Sequence, residues 1–475
     1  MSDKSYSVVM SQRSKIMQDS IQINYDDFEL EGVAFDYELM MSQTAYSMEE
    51  MIKIQRSMGV GNTPIIKLSN LTELARKYAP AGYGATIYVK DEAANASGSF
   101  KDRRAAISVY HAKKLGYKGV IAATSGNYGA AVASHAARLG LKCIVVQECF
   151  DSNGVGQPEI IEKARKCEVL GAEVVQLTVG PELFYKFLTL LEETGYFNAS
   201  LYTPFGIAGI ETLGYEIVDQ FNKEIGKQPD AIVVTNAGGG NVTGTVRGLR
   251  KNGNTTSKVI AASVNLKGVH MASDTDFNRK SFTTGHTGFG IPFMTWPDRS
   301  DVPRSAARPL RYIDNYVLVN QGEVFFITEA LSNLEGLEKG PAGNTALAAA
   351  FSIAQTMNED EIILVQETEY TGAGKNIQSQ ISFARDNGID IYFGNPEEEV
   401  AGKSIVLPAN PSLIKAREVN VPGLRQSLIK NALNNSETKQ FSEVELKYLA
   451  EEINSDVDEV KRLISVIIEK EKEVK

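Results

Sequence analysis

The chain has 475 residues, of which 43% are hydrophobic and 23% are charged, and this length predicts two or three domains with buried cores. The formal net charge of -10 argues against general nucleic-acid binding, which needs a basic surface. No apolar stretch is long enough for a signal peptide or a transmembrane helix, so we predict a cytoplasmic protein that does not associate with membranes.

In chain order, residues 1–60 predict an arm with helical pieces, and a turn at Gly61-Asn62-Thr63-Pro64 follows. Beyond it, short apolar strands alternate with helices that end at glycines such as Gly116, Gly140 and Gly171. Strands are predicted at 86–90, 120–123, 143–147, 173–177, 231–234, 259–264 and 362–365, and helices at 102–115, 130–139, 159–170 and 342–357. This alternation is typical of parallel sheets flanked by helices, and we predict two α/β domains with a cleft between them.

The predicted organisation has three parts. They are the N-terminal arm at 1–60, a core at 61–402 whose smaller, mobile domain spans about 103–215, and a linker with a small helical appendage at 403–475. Prolines and asparagines in 403–420 predict the linker. Two helix starts in the appendage match the N-terminal capping pattern, namely Ser442 with Glu445 and Ser455 with Asp458.

Cysteine and histidine are sparse, with three and four residues in the whole chain. The odd number of cysteines and their spacing predict neither a disulfide framework nor a metal site. Cys143 lies in an apolar run and is interpreted as a buried hydrophobe, whereas Cys149 is the thiol to test.

Lys101 lies in the segment Ser97-Gly98-Ser99-Phe100-Lys101-Asp102-Arg103, at a predicted turn from a strand into a helix. A lysine at a helix start is ordinarily a solvated charge. Burial at such a turn would lower the pKa of the amine, which could then form an imine as a nucleophile and act as a base.

A second polar turn, Thr124-Ser125-Gly126-Asn127, joins the strand at 120–123 to an alanine-rich helix. The free N–H groups at the start of that helix favour a carboxylate ligand. Simple capping of the helix by Ser125 or Asn127 is the alternative. The amide of Asn127 could also contact an oxygen on the ring of a cofactor.

The third segment, Ala237-Gly238-Gly239-Gly240-Asn241, follows the strand at 231–234 and leads into a helix. Small residues let backbone amides approach an anion such as a phosphate. The segment has neither a Walker lysine nor the G-x-G-x-x-G spacing, which excludes the nucleotide-binding motifs that it superficially matches.

In this order, the three segments and the turn at 61–64 resemble the fold-type II pyridoxal-phosphate enzymes, which include threonine synthase, cysteine synthase and serine dehydratase. The similarity covers about residues 60–375. It implies a two-domain, tryptophan synthase beta-like fold and pyridoxal 5′-phosphate as the cofactor. By this resemblance, Lys101 forms the Schiff base, Asn127 contacts the ring oxygen, Ala237, Gly238, Gly239, Gly240 and Asn241 bind the phosphate, and Thr124, Ser125 and Gly126 line the substrate carboxylate pocket.

The resemblance leaves the partner of the ring nitrogen open, after the strand at 362–365. Thr371 best matches the threonine synthase pattern, and Glu367 or Glu369 is the alternative. A carboxylate would keep the nitrogen protonated and give a strong electron sink, whereas a hydroxyl would leave the nitrogen nearly neutral.

The chain as a whole resembles the family of 2-amino-4-oxopentanoate thiolase beta subunits, with segments 110–115, 180–185 and 283–290 carrying the closer match. These act in ornithine degradation with a small alpha subunit. The resemblance implies cleavage of 2-amino-4-oxopentanoate by coenzyme A to alanine and acetyl-CoA, in an oligomer. His286 is then a candidate contact for the ketone or the thiol, and a structural role is its alternative.

Cleavage between C3 and C4 requires that C3 leave as a carbanion. Our hypothesis is that Lys101 moves the C2 proton and so converts an aldimine into a ketimine, which accepts the C3 charge as an enamine. The coenzyme A thiolate attacks the C4 ketone, so no cysteine is needed as an acyl carrier. The alternatives are a threonine synthase-like β-elimination or β-replacement enzyme and a non-catalytic protein of the same fold.

Overall fold

The computed structural model describes residues 4–124, 126–156, 158–180, 182–200, 202–266, 302, 304–370, 377–436 and 439–473. Three residues of the predicted site, Ser125, His286 and Thr371, lie outside these ranges, as does the segment 283–290.

Strands and α-helices alternate through most of the described chain. The strands are β1 Ile65–Lys67, β2 Thr86–Asp91, β3 Gly119–Thr124, β4 Lys142–Phe150, β5 Glu173–Thr178, β6 Phe197–Asn198, β7 Ala231–Thr235, β8 Lys258–Val264, β9 Asn315–Val319, β10 Ile362–Glu367, β11 Asp390–Gly394, β12 Ser404–Pro408 and β13 Arg417–Glu418. The helices are α1 Tyr6–Ser11, α2 Arg13–Ile21, α3 Tyr37–Ser42, α4 Met48–Ser57, α5 Ser69–Tyr78, α6 Lys101–Lys114, α7 Asn127–Leu139, α8 Pro158–Val169, α9 Glu182–Thr194, α10 Pro204–Gln220, α11 Gly240–Lys251, α12 Gln321–Glu335, α13 Pro341–Ala354, α14 Ile377–Asp386, α15 Val421–Asn435, α16 Glu443–Glu452 and α17 Val457–Glu473. None of the helices within the described ranges is both long and apolar enough to cross a bilayer.

Two main sheets form the core. The larger has the order β1-β2-β10-β7-β8-β9-β13, with five parallel inner strands and antiparallel strands at both edges. The smaller has the order β5-β4-β3-β6 and is parallel throughout. Every residue of β10 is buried, as expected for a strand whose sheet is covered by helices on both faces. The predicted α/β class is confirmed, and the antiparallel edge strands are an addition to it.

The carboxyl ends of the parallel strands determine where the site lies. Strand β2 leads into the segment with Lys101, β7 leads into the glycine loop, and β10 leads into Thr368 and Glu369. In parallel sheets these ends share one edge, where ligands usually bind. Strand β3 of the smaller sheet ends at Thr124 and faces this edge across the same cavity.

The stretch 403–420 is not a linker, because it contains β12 and β13. Strand β12 pairs in parallel with β11, and β13 extends the edge of the larger sheet. The apolar run of β12 is buried, and its proline is the last residue of the strand, where it interrupts no ladder. The Pro and Asn residues of this stretch therefore mark the ends of strands and not a linker.

The C-terminal helices confirm one capping prediction and correct the other. Ser442 caps α16, since its hydroxyl accepts the Glu445 N–H at 3.3 Å and the Glu445 carboxylate accepts the Ser442 N–H at 2.8 Å. The next helix starts one residue later than predicted. Asp456 accepts the N–H of Glu459 at 2.8 Å, and a carboxylate is the stronger acceptor at a helix start.

The arm and the tail pack onto the core and onto each other. In the arm, Tyr37 is 2% exposed and donates its hydroxyl to the Ala306 carbonyl at 2.9 Å. In the tail, the Glu445 carboxylate accepts the N–H of Val33 at 2.9 Å. The arm and the tail therefore meet beside the segment at 304–312.

Candidate active site

Lys101 begins α6, after a loop that pairs with the chain beyond β10. The Tyr370 N–H donates to the Gly98 carbonyl at 2.8 Å, and the Phe100 N–H donates to the Thr368 carbonyl at 3.1 Å. Gly98 has φ +87°, and a Cβ there would lie 2.1 Å from the Tyr370 carbonyl oxygen. Only glycine at position 98 lets this loop approach the chain after β10 closely enough to bring Lys101 beside Glu369.

The amine of Lys101 has a pKa well below its usual value. Burial is the main cause, and the positive charges of Arg104 and Lys163 add to it, whereas Glu369 acts in the opposite direction. The Nζ atom lies 3.8 Å from the centroid of the Phe100 ring. Lys101 is therefore poised as a neutral nucleophile or base.

The polar turn after β3 is held by its own side chains. Thr124 Oγ1 accepts the Gly126 N–H at 2.9 Å. Asn127 begins α7, and its Nδ2 donates to Glu369 Oε2 at 3.0 Å. Asn127 Oδ1 is buried and has no hydrogen-bond partner among the described residues, so one acceptor remains for a ligand.

The glycine loop packs too tightly for side chains. A Cβ at Gly238 would lie 1.7 Å from the Tyr202 hydroxyl oxygen, and one at Gly239 would lie 2.4 Å from Pro309 Cγ. Gly239 also has φ +83°, which favours glycine. The side chain of Asn241 accepts from Gln366 Nε2 at 3.0 Å, which leaves backbone N–H groups as donors at the start of α11.

One cavity brings these segments together. Of the predicted site residues that the structure describes, Gly126 does not line it, and the following do: Lys101, Thr124, Asn127, Ala237, Gly238, Gly239, Gly240 and Asn241. Sequence reasoning missed two buried cations in its wall, Arg104 and Lys163. Arg104 lies one turn after Lys101, so helical spacing could have signalled it.

Lys163 had no local signal, because α8 brings it to the turn after β3. Its Nζ lies 2.5 Å from Glu159 Oε1, and both residues are buried. A Cβ at Gly126 would lie 2.2 Å from Lys163 Cδ. The Lys163 side chain therefore lies against the turn at which the sequence predicts that the substrate carboxylate binds.

The two carboxylates after β10 have different environments. Glu369 lines the cavity, whereas Glu367 is fully buried and does not. Burial and the neighbouring Glu369 raise the pKa of Glu367 well above its usual value. Of these two alternatives for the ring nitrogen, Glu369 is the one that a ligand in the cavity could contact.

The cysteines do not form part of this site. Cys149 is fully buried, and burial, with help from Glu168, raises the pKa of its thiol to about 12. Burial likewise raises the pKa of Cys143 to about 12. Neither residue lines the cavity, so neither thiol is placed as a nucleophile.

Comparison with known proteins gives a consistent result. A family model described as pyridoxal-phosphate dependent enzyme matches residues 56–368. The chain is 70% identical to the 2-amino-4-ketopentanoate thiolase beta subunit of Acetoanaerobium sticklandii, over 98% of this chain and 99% of that one. It is 62% identical to a beta subunit of the same name from an unknown prokaryotic organism, over 97% and 98% of the two chains. A crystal structure of cysteine synthase from Entamoeba histolytica shares the fold, with a TM-score of 0.53 at 20% identity, over 70% of this chain and 95% of that one.

Proposed function

The chain belongs to the pyridoxal-phosphate dependent enzymes, in the family of the 2-amino-4-ketopentanoate thiolase beta subunits, and from this premise we propose its reaction. It cleaves 2-amino-4-oxopentanoate, which is the same compound as 2-amino-4-ketopentanoate, with coenzyme A to give alanine and acetyl-CoA. The observation that carries the proposal is the 70% identity over nearly the whole length of both chains.

The described residues fit the cofactor of this family. A Cβ at Gly238, Gly239 or Gly240 would collide with a neighbouring side chain, so glycine alone fits this loop at the start of a helix, where backbone N–H groups favour an anion. Lys101 supplies an amine with a lowered pKa, and Asn127 supplies a buried acceptor. When bound, pyridoxal phosphate supplies an electron sink for negative charge on the substrate carbons.

Lys101 has two tasks in the proposed reaction. It would hold the cofactor covalently, and once the substrate amine displaced it, its amine would take the proton from C2 of the substrate. Both tasks need the neutral amine, and the burial that lowers the pKa of Lys101 favours that form. The coenzyme A thiolate then bonds to C4, the C3–C4 bond breaks with its electrons on C3, and protons return to C3 and to C2 to give alanine.

The remaining roles follow the layout of the cavity. We assign the substrate carboxylate to the turn of Thr124, Ser125 and Gly126, where the Lys163 ammonium adds a positive charge. Asn127 contacts the cofactor ring. Thr371 remains the sequence-based candidate for the ring nitrogen.

Among the described residues, Glu369 lines the cavity and is the candidate partner of the ring nitrogen. His286 remains a candidate contact for the ketone or the thiol. The absorbance spectra of Glu369→Gln and Thr371→Val, loaded with cofactor, distinguish the two ring-nitrogen partners.

The assembly also belongs to the proposal. The name of the relatives, beta subunit, implies a second subunit, and we assign to this chain a small alpha subunit, an oligomer and a cytoplasmic location. The alpha subunit must be present in any test of activity.

The decisive experiment incubates the reconstituted pair with 2-amino-4-oxopentanoate, with and without coenzyme A, and identifies products by mass spectrometry. We expect equal amounts of alanine and acetyl-CoA, with deuterium at C2 and C3 of the alanine when the solvent is D2O. Lys101→Ala is the inactive control. Consumption of the substrate that does not depend on coenzyme A would contradict the thiolase reaction.

A further inference from the structure

The carboxylate of Asp102 connects the loop of Lys101 to helix α7. Asp102 directly follows Lys101, and its side chain is fully buried. Its Oδ2 accepts the Ser97 N–H at 2.7 Å and the Ser97 hydroxyl at 2.8 Å, and these two bonds close the loop that precedes Lys101. Its Oδ1 lies 2.8 Å from Nε2 of His135, which belongs to α7. One carboxylate therefore holds both the loop and the helix.

The ring of His135 is fixed by this contact. His135 is fully buried, and because a carboxylate accepts hydrogen bonds, we assign the proton of the contact to Nε2. Within the described part of the chain, the other ring nitrogen, Nδ1, has no hydrogen-bond partner. Among the described residues, Asp102 is therefore the hydrogen-bond partner that sets the orientation of the ring.

Helix α7 extends this connection to the cavity. The helix runs from Asn127 to Leu139, so His135 lies about 12 Å along the axis from Asn127, at about 1.5 Å per residue. At the start of the helix, Asn127 lines the cavity and donates to Glu369 at 3.0 Å. The contact between Asp102 and His135 thus holds Lys101 against the same helix that carries Asn127.

Other contacts hold the backbone of the loop and not the start of α6. Two backbone hydrogen bonds tie residues 98 and 100 to the chain after β10. The ammonium of Lys166, on α8, donates to the Ser97 carbonyl at 2.6 Å. If the contact to His135 were lost, these bonds would still hold the loop. The residue directly after Lys101 would lose its attachment to α7, so the change should affect the lysine more than the rest of the cavity.

We propose that Asp102 and His135 are positioning residues, which hold the first turn of α6 so that the amine of Lys101 reaches the aldehyde of the cofactor. A misplacement of about 1 Å can slow a reaction between held groups by about 100-fold. The proposal rests on the proposed role of Lys101 and not on the thiolase reaction. Lys101→Ala tests that role separately, because it removes the amine and leaves Asp102 and His135 in place.

The test compares two ligands that differ in the group that reacts with lysine. Pyridoxamine 5′-phosphate has an amine in place of the aldehyde of pyridoxal 5′-phosphate, so it cannot bond covalently to Lys101. The full-length protein is freed of cofactor and titrated with each ligand by calorimetry. We expect His135→Leu to weaken pyridoxal phosphate by about 10–100-fold and pyridoxamine phosphate by less than about threefold. His135→Gln should recover part of the loss, because its amide retains an N–H donor.

Asp102→Asn has a matched control in Glu399→Gln. Glu399 is also a buried carboxylate that accepts backbone N–H groups, from Gln321 and Gly322 at 3.0 Å each, and it does not line the cavity. We expect Asp102→Asn to lower the preference for pyridoxal phosphate by about tenfold or more, and Glu399→Gln to leave it within about threefold of wild type.

Three results separate the possible failures. Equal weakening of both ligands in His135→Leu, or no weakening, would overturn the positioning role. An equal change of preference in Glu399→Gln would also overturn it, because the effect would then follow from lost stability alone. If Lys101→Ala keeps the preference of wild type, the covalent role of Lys101 is itself wrong.

Ser97→Ala covers the case in which His135→Leu and Asp102→Asn do not fold. It removes the hydroxyl that donates to Asp102 and leaves the Ser97 N–H and His135 in place. Covalent loading is followed by trapping with borohydride at timed intervals and mass spectrometry of the peptide with Lys101. We expect loading to be about three- to tenfold slower than in wild type, the range for one lost hydrogen bond. Loading at the rate of wild type would overturn the proposal.

Discussion

The clearest stability test compares two adjacent glutamates on α16 that both contact Arg311. Glu452 is 4% exposed and contacts Arg308 at 2.9 Å and Arg311 at 3.3 Å. Glu451 is 63% exposed and contacts Arg311 at its outer edge. The two residues carry the same charge and lie on the same helix, and they differ in how deeply they are buried.

The structure sets the expected magnitudes. Burial alone would lower the pKa of Arg308, yet Glu452 and Tyr448 hold it above its usual value. Glu452→Gln keeps the size of the side chain, leaves the buried Arg308 without its carboxylate and leaves Arg311 with Glu451 alone. Breaking a buried pair costs about 3–5 kcal/mol, whereas an exposed pair contributes about 0–1 kcal/mol. The two variants should therefore differ by about 2–5 kcal/mol, which at 1.4 kcal/mol per tenfold change is roughly 30- to 4000-fold in the unfolding equilibrium.

Urea unfolding of both variants, followed by circular dichroism with saturating cofactor, measures this difference. We expect a clearly lower midpoint for Glu452→Gln and a midpoint near wild type for Glu451→Gln. If the two variants unfold at the same urea concentration, burial does not set the strength of these ion pairs. Because Pro309 lies against Gly239, we also expect Glu452→Gln to release cofactor faster than Glu451→Gln.

Three further outcomes test the site. Gly238→Ala should lose most of its affinity for the cofactor, since the new Cβ would lie 1.7 Å from the Tyr202 hydroxyl oxygen; Tyr202→Ala in the same chain should restore part of it, as read by cofactor absorbance. Glu369→Gln removes the carboxylate that raises the pKa of Lys101, so the pKa of Lys101 should fall further. The pH profile of cofactor loading should then move to lower pH, and a move to higher pH would contradict the effect of Glu369 on Lys101. Cys149→Ser should keep coenzyme A-dependent turnover within about threefold of wild type, because the thiol is fully buried with a pKa raised to about 12; complete loss of acetyl-CoA formation in a folded variant would mean that the thiol takes part.

The sequence was sufficient for elements whose signals are local. Strand-to-helix turns rich in glycine located Lys101, Asn127 and the loop at 237–241, and these meet in one cavity. Each predicted strand was found to within a few residues, and the largest shift was in β4, predicted at 143–147 and found at Lys142–Phe150. The inner strand β9, at Asn315–Val319, was not predicted. Local pattern works here because each parallel strand must end at the shared edge of its sheet.

The features that the sequence did not give depend on contacts between distant segments. Lys163 reaches the site through the packing of α8 against the turn at Gly126. The prolines and asparagines of 403–420 predict a linker, although Ile405, Val406 and Leu407 form an apolar run that is buried in β12 beside β11. The start of α17 was misplaced because Ser455 and Asp456 both have capping side chains, and the backbone selects the second.

The contact between the arm and the tail has a consequence for synthesis of the protein. Val33 and Glu445 are 412 positions apart in the chain. At about 5–20 residues per second, a ribosome needs roughly 20–80 s to make the residues between them. Until then the arm lacks the helix that covers its backbone, so a segment made early is among the last to complete its packing. We expect nascent chains stalled before residue 443 to bind chaperones through the arm, and full-length chains to be released.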